Sequence, residues 1–187
     1  MTDACPFSLE CRADGVAVIT LDRPEIHNAF DDRLIATLTQ ALTTIGADDR
    51  VRAVLLTGRG KSFSAGADLN WMRRSADYGE DENLEDARAL AKLMATLDRL
   101  PKPTIAKING AALGGGVGLI CCCDIAIAAD HARFGTTEVK LGIMPSVIGP
   151  YVVAAIGTRQ ARRITLTGER FDAAEALRIG LVHEIVP

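Results

Sequence analysis

Short apolar runs alternate with amphipathic helical stretches along this chain, and this alternation constrains the fold most strongly. Phe7 to Arg12 and Val16 to Leu21 predict two strands joined by a tight turn. The apolar spacing from Leu34 to Ile45 then predicts a helix, which Asp31 or Asp32 can cap. Val51 to Thr57 follows as a buried strand. Strands that alternate with helices are typical of α/β folds.

The alternation continues more weakly in the second half of the chain. Asn83 to Leu100 carries an apolar stripe at helical spacing and predicts a long amphipathic helix. Thr104 to Ile108 predicts a strand, Gly114 to Cys122 a short helix, and Ile125 to Ala129 another strand. A final helix is predicted from Asp172, which has the character of an N-cap. The fold class is therefore α/β throughout.

The length and composition predict one domain over residues 1–187. No stretch rich in Pro, Gly and Ser divides the chain, and 187 residues can bury a core without metals or disulfides. The charged residues 72–83 are expected to form a surface loop. A first segment with neither basic nor long apolar character predicts no secretory signal, and hence a cytoplasmic protein.

Charge and hydropathy exclude two classes of partner. A net charge of -3 gives no general attraction for phosphate backbones, so we expect no nucleic-acid partner. The longest apolar stretch, Ala111 to Cys123, is too short to span a bilayer, so we expect no membrane partner. Both expectations favour an enzyme or a small-molecule binding protein.

Several familiar motifs fail on inspection. Gly58 to Ser62 ends like a phosphate-binding loop, but the first glycine of that motif is missing. Gly114 to Gly118 resembles a dinucleotide fingerprint, yet Leu119 stands where its third glycine belongs. The three histidines are scattered, without acidic or thiol neighbours at ligand spacing. The sequence therefore predicts no metal site.

Three small-residue segments remain, and each follows or adjoins a predicted strand. They are Ser62 to Leu69, Asn109 to Gly116, and Phe134 to Glu138. Small residues let backbone approach backbone or ligand closely, and a helix beginning in the glycine run presents free N–H groups. Two such turns could together form an oxyanion hole.

In order and spacing these segments resemble the enoyl-CoA hydratase/isomerase (crotonase) family. They correspond to its first oxyanion turn, its glycine-rich second turn and its catalytic glutamate segment, within a resemblance from Phe7 to Pro187. The resemblance implies a crotonase-like spiral of repeated ββα units. It also implies a homotrimer or dimer of trimers built by C-terminal helices, which this chain lacks because it stops at Pro187.

The resemblance implies a role for particular residues. The backbone N–H groups of Ala67 and Gly115 would bind the thioester oxygen, and Glu138 would transfer protons as acid and base. No cofactor is implied, because coenzyme A is part of the acyl-CoA substrate. The positions implied in substrate binding are Ile26, Ala65, Asp68, Leu69, Asn70, Gly114, Gly118 and Ser146.

The chain departs from the family pattern where the attacking water would be held. Gly118 stands where many hydratases have a second glutamate, and Ser146 follows Pro145 where the family often has glycine. An isomerase needs only one shuttling base. A hydratase could hold its water with Glu138 and Ser146. Alternatively, the missing carboxylate could leave space beside Gly118 for a branched or carboxylated acyl group.

A finer resemblance concerns the substrate. Asn70 to Met72, Leu100 to Thr104, Gly116 to Leu119 and Pro150 to Val153 resemble bacterial methylglutaconyl-CoA hydratase-like proteins, which act in leucine or acyclic terpenoid breakdown. This resemblance predicts 3-methylglutaconyl-CoA as a substrate. The contrasting hypothesis is an inactive homologue that only binds a CoA thioester, and Gly118 together with the early end of the chain keeps that hypothesis open.

Overall fold

The computed structural model describes residues 5–187. The strands are β1 Phe7–Cys11, β2 Val16–Leu21, β3 Ala53–Gly58, β4 Ser62–Ser64, β5 Thr104–Ile108, β6 Ala111–Leu113, β7 Ile125–Ala129, β8 Arg133–Gly135, β9 Phe171–Asp172 and β10 Glu184–Val186. The α-helices are α1 Asp32–Ala47, α2 Leu69–Ser75, α3 Glu80–Asp98, α4 Gly115–Cys121, α5 Gly149–Thr167 and α6 Ala173–Arg178. Two short 3-10 helices occupy Pro24–Ile26 and Glu138–Leu141.

The larger sheet has six strands in the order β1-β2-β3-β5-β7-β10. β1 and β2 form the predicted hairpin, with Phe7 paired to Leu21, and every other neighbouring pair in this sheet is parallel. In β2, buried side chains alternate with partly exposed ones, as the period of a strand requires. The buried set contributes Ala17, Ile19 and Leu21 to the core.

A smaller sheet, β4-β6-β8-β9, carries the functional turns. Each of β3, β5 and β7 runs in the larger sheet and is followed at once by a three-residue strand, β4, β6 or β8, in the smaller one. These pairs, each followed by helical structure, are the repeated ββα units, and the α/β fold class is confirmed. The parallel pairing of β4, β6 and β8 places the ends of these three strands side by side.

Helices α1 and α3 pack together against the core. Asp31 caps α1 by accepting a hydrogen bond from the Leu34 N–H at 2.8 Å. Leu34, Leu38 and Leu42 of the same helix are almost fully buried. Burying each such side chain contributes roughly 1.5 to 3 kcal/mol. None of the helices within residues 5–187 combines the length and apolar character required to cross a bilayer.

The expected surface loop over residues 72–83 is wrong. Helix α2 extends to Ser75 and α3 already begins at Glu80, so only residues 76–79 lie between helices. Acidic side chains fill the first turn of α3, where they stabilise the positive end of a helix. The Glu82 carboxylate also accepts a hydrogen bond from the Gly79 N–H at 3.0 Å. The charge run therefore marks a helix start and not a loop.

Candidate active site

A cavity of about 270 Å³ opens beside the first turns of α2 and α4. Backbone of the small-residue turns, at Ala65, Ala67, Gly114 and Gly115, lines one side of it. The other sides are mostly apolar. They are formed by Phe30, Leu69, Trp71, Met72, Leu90, Leu141, Ile143, Met144, Pro145, Val147 and Ile148. Such a mixture of apolar wall and a few polar groups is typical of small-molecule sites.

The Ala67 turn is held between two backbone hydrogen bonds. Phe30 N–H donates to the Gly66 carbonyl at 2.6 Å, and Asp68 N–H donates to the Phe30 carbonyl at 2.7 Å. The Ala67 N–H between them forms no hydrogen bond within the described chain. Gly66 adopts φ +82°, a left-handed conformation that glycine accepts without strain. The turn therefore presents one free N–H donor at the cavity.

The second donor comes from Gly115, the first residue of α4. Its N–H cannot take part in the helical ladder, because the first N–H groups of a helix have no carbonyl one turn earlier. The two turns lie in contact. A methyl group built on Gly66 would stand 2.7 Å from the Leu113 carbonyl oxygen and 3.2 Å from Gly115 N. The Ala67 and Gly115 donors thus lie on neighbouring turns that line the same cavity.

Glu138 brings a carboxylate to the same place. It begins a 3-10 helix after β8, and a methyl group built on Gly114 would meet its Oε1 at 3.0 Å. Its Oε2 is buried and accepts no hydrogen bond from any described residue. Burial raises the pKa of this carboxyl, and its own backbone N–H lowers it by a smaller amount. An unpartnered carboxylate whose pKa is raised is suited to proton transfer with a ligand in the cavity.

Comparison with known proteins assigns the family. A family model described as enoyl-CoA hydratase/isomerase matches residues 12–187. The chain belongs to the enoyl-CoA hydratase/isomerase family.

Solved structures and named relatives of this family resemble the chain closely. An enoyl-CoA hydratase from Shewanella pealeana superposes with a TM-score of 0.94 at 50% identity, over 97% of this chain and 68% of the other. AtuE of Pseudomonas aeruginosa superposes with a TM-score of 0.93 at 41% identity, over 97% and 70% respectively. The 2,3-dehydroadipyl-CoA hydratase of Escherichia coli is 37% identical over 94% of this chain and 68% of its own length. The chain thus spans about two thirds of these family members.

The fold brings most of the predicted site residues of this hydratase/isomerase chain together. Seven of them line the cavity: Ala65, Ala67, Leu69, Gly114, Gly115, Glu138 and Ser146. Ser146 N–H donates to the Met144 carbonyl at 2.8 Å, which forms a tight turn in a segment of the cavity wall. Their roles in catalysis and binding stay predictions.

Three other predicted substrate-binding residues lie outside the cavity. Asp68 is a buried helix cap whose Oδ1 accepts hydrogen bonds from the N–H groups of Asn70 at 2.8 Å and Trp71 at 3.0 Å. Asn70 is exposed on α2, and Ile26 is half-buried in the first 3-10 helix. None of these side chains lines the cavity. Asp68 therefore fixes the backbone at the start of α2, next to Ala67.

The structure corrects the expectation that Gly118 leaves open space beside the acyl group. Gly118 is buried in α4, and a methyl group built on it would stand 3.0 Å from Ile148 Cβ and 3.3 Å from Met94 Cε. Ile148, not Gly118, reaches the cavity wall. The volume that a larger residue at 118 would need is therefore filled by hydrocarbon.

Sequence reasoning missed most of the apolar wall. Met72 falls in the predicted surface loop, Leu90 lies on the apolar stripe of a predicted helix, and Ile148 lies in a segment for which the sequence predicts no structure. Their spacing carried no signal, because these residues become neighbours only when α2, α3 and the 141–148 segment fold around the small-residue turns.

Proposed function

We propose that this chain adds water across the double bond of a 2-enoyl-CoA thioester. The observation that carries the proposal is the meeting, in one cavity, of two turns with backbone donors at Ala67 and Gly115 and a half-buried Glu138 carboxylate whose Oε2 has no hydrogen-bond partner among the described residues. Hydratase names among the relatives support the same reaction class.

The proposed reaction needs one acid/base group and one oxyanion site. Glu138 takes a proton from water as the water oxygen bonds to C3, and the π electrons of the double bond move toward the thioester oxygen. The N–H groups of Ala67 and Gly115 stabilise that oxygen as negative charge develops, an effect for which one donor is typically worth about 100- to 1000-fold in rate. Protonated Glu138 then gives its proton to C2, which restores the carboxylate and leaves a 3-hydroxyacyl thioester.

Isomerisation of a 3-enoyl-CoA is the second candidate. Among the described residues that line the cavity, Glu138 is the one with an acidic side chain, and hydrocarbon fills the space beside Gly118. One carboxylate suffices for isomerisation, because it can take a proton from C2 and return it to C4. Hydration additionally requires that Glu138, with the Ser146 hydroxyl or backbone, hold a water molecule.

The finer proposal concerns the acyl group of the substrate, for which the sequence suggests a branched or carboxylated group such as 3-methylglutaconyl. The apolar wall favours its branched hydrocarbon part. Its distal carboxylate would meet no cation among the described lining residues, where Glu138 is the one ionisable group. We therefore propose that uncharged acyl groups are better substrates of this cavity than carboxylated ones.

Product analysis tests these proposals. The purified chain is incubated with crotonyl-CoA, 3-hexenoyl-CoA and 3-methylglutaconyl-CoA, and the products are separated and identified by mass. A 3-hydroxyacyl product from crotonyl-CoA supports hydration. A 2-enoyl product from 3-hexenoyl-CoA without hydration of crotonyl-CoA would replace hydration by isomerisation. Folded protein that binds acyl-CoA but forms neither product would support the hypothesis of an inactive homologue that only binds a CoA thioester.

We also propose that the functional form is a homotrimer or dimer of trimers. Large apolar side chains remain exposed around the cavity mouth, where Met144 is 74%, Leu69 64% and Leu141 58% exposed. Contiguous exposed apolar surface on soluble proteins usually marks a surface that is covered in the functional state.

A further inference from the structure

We propose that Asp86 is a positioning residue for the acyl cavity and acts through the indole of Trp71. This inference rests on the proposed function, since it assigns a role in holding the acyl group of the same substrate. Trp71 Nε1 donates a hydrogen bond to Asp86 Oδ2 at 3.1 Å. Trp71 lines the cavity, whereas Asp86 does not, so Asp86 contacts the cavity wall and not the ligand.

The bond joins two helices, α2 and α3, that follow each other in the chain. Helix α2 carries Trp71 and α3 carries Asp86, and both helices supply cavity wall through Met72 and Leu90. Within residues 5–187, no other side-chain hydrogen bond joins α2 to α3. The Trp71 to Asp86 bond therefore sets how far α2 stands from α3, and with it the width of the cavity on that side.

The same bond is coupled to the oxyanion turn. Asp68 caps α2 by accepting the Trp71 backbone N–H, and its own N–H is fixed on the Phe30 carbonyl. Trp71 is thus tied at its backbone to the residue next to Ala67 and at its indole to α3. A shift of the indole moves one wall of the cavity, so we expect it to affect the acyl group and to leave the binding of the CoA portion unchanged.

Burial makes the bond consequential. Trp71 is only 8% exposed and its hydrogen bond to Asp86 is partly buried, so removal of Asp86 leaves the indole N–H with restricted access to water. A buried donor without an acceptor is unfavourable, and the ring will turn or move toward solvent to recover a partner. An aromatic ring in an apolar wall cannot move without changing the cavity, because interiors are closely packed.

Trp71 is the single tryptophan of the chain, so its fluorescence reports on this wall alone. The test compares wild type with Asp86→Leu, which removes the acceptor, and Asp86→Asn, which keeps an acceptor oxygen. Glu85→Leu is the matched control, because Glu85 is exposed on the same helix and forms no side-chain hydrogen bond or ion pair within the described chain. Binding of crotonyl-CoA and of free CoA is titrated for each variant, and kcat and KM are measured for crotonyl-CoA.

For Asp86→Leu we expect a shifted Trp71 emission maximum, crotonyl-CoA binding weakened about tenfold and free CoA binding unchanged. Asp86→Asn should restore most of the affinity, and Glu85→Leu should behave as wild type. Trp71→Phe should weaken crotonyl-CoA binding similarly, measured by calorimetry, and combining it with Asp86→Leu should add little further loss.

The outcomes that would overturn this assignment are distinct from failure of the proposed reaction. Unchanged emission and unchanged crotonyl-CoA affinity in Asp86→Leu would remove the positioning role, as would equal weakening of crotonyl-CoA and free CoA. The same follows if the two single losses add fully in the double variant. The proposed function fails separately, when wild type binds crotonyl-CoA but yields no product.

Discussion

At the residue scale, glycines determine how closely the catalytic groups of the proposed site approach one another. Gly114 adopts φ +50°, and a methyl group built on it would stand 3.0 Å from Glu138 Oε1, so any side chain there would be strained and would push Oε1 away. Gly115 is equally constrained by the Phe30 ring, to which a built methyl group would come within 2.9 Å. The chemistry of Glu138 therefore depends on residues that have no side chain.

Gly114→Ala is expected to lower kcat about 100-fold, because a displacement of about 1 Å in the acid/base group can have that effect. The measurement is steady-state hydration of crotonyl-CoA, with circular dichroism to confirm folding. Gly79→Ala is the control, since Gly79 has φ -70° and a built methyl group meets only Glu82 Oε2 at 3.8 Å. A Gly114→Ala variant as active as Gly79→Ala would show that the close approach is unimportant.

The raised pKa of Glu138 predicts a pH dependence of stability with a definite sign. Because burial raises its pKa in the folded state, folding favours the protonated carboxyl. This contribution to the free energy of unfolding is fully present below the unfolded pKa and is lost as pH rises through the folded pKa. Wild type should therefore lose stability relative to Glu138→Gln over that interval, as measured by urea unfolding at a series of pH values. A constant difference between the two proteins across the interval would contradict the raised pKa.

Glu138, Ala67 and Gly115 could be found from the sequence because each lies in a local segment whose small residues and order are characteristic. Ile148 could not, since it fills the space beside Gly118 from thirty residues further along the chain. Sequence spacing predicts which backbone can approach closely. It does not predict which distant side chain will occupy the volume left by a glycine.

At the element scale, α2 links the Ala67 turn to the cavity wall, and its N-cap Asp68 holds the two together. Asp68 Oδ1 accepts two backbone N–H groups of the first turn of α2. Asp68→Ala is expected to lower the free energy of unfolding by about 1 kcal/mol, the usual loss for such a cap, and to lower kcat about tenfold by loosening the Ala67 turn. Thermal unfolding and crotonyl-CoA kinetics measure both effects.

Asp68→Asn is the matched variant, because an amide oxygen can still cap the helix. It should retain most of the stability and most of kcat. Loss of kcat in Asp68→Asn as large as in Asp68→Ala would indicate that the carboxylate charge acts directly on the substrate, contrary to the role in capping.

Some elements have the bounds that the sequence predicts, and others carry no sequence pattern that predicts them. The bounds of β5 and β7 match the predicted residues. The predicted N-cap of the last helix is also confirmed, because the Asp172 carboxylate accepts a hydrogen bond from the Glu175 N–H at 2.9 Å. α5 was not predicted, because Gly157 at φ +74° interrupts it and few of its side chains are buried. The strands β4, β6 and β8 have three residues each, too few to show a period.

At the scale of the whole molecule, the exposed apolar side chains around the cavity mouth predict association. Light scattering after gel filtration should give a mass three or six times that of one chain. Met144→Glu, which places a charge among those side chains, should reduce that mass. Glu85→Gln, at an exposed charged position of α3, should not. A purely monomeric wild type that still hydrates crotonyl-CoA would show that assembly is not needed for the reaction.

The arrangement of the two sheets explains why three small-residue turns that are far apart in the sequence form one site. β4, β6 and β8 are parallel neighbours, so the turns that follow them, which carry Ala67, Gly115 and Glu138, meet at one edge of the smaller sheet. The sequence predicted the three turns and the α/β class. The register that aligns them arises from pairing between strands far apart in the chain, which local patterns do not contain.

We propose that Glu138 transfers the protons in a cavity whose backbone donors bind the thioester oxygen. The most direct test measures crotonyl-CoA hydration by wild type and by Glu138→Gln, together with the crotonyl-CoA affinity of each from Trp71 fluorescence. We predict that Glu138→Gln binds crotonyl-CoA about as tightly as wild type but hydrates it about 100- to 10,000-fold more slowly. Hydration by folded Glu138→Gln within tenfold of the wild-type rate would contradict proton transfer by Glu138.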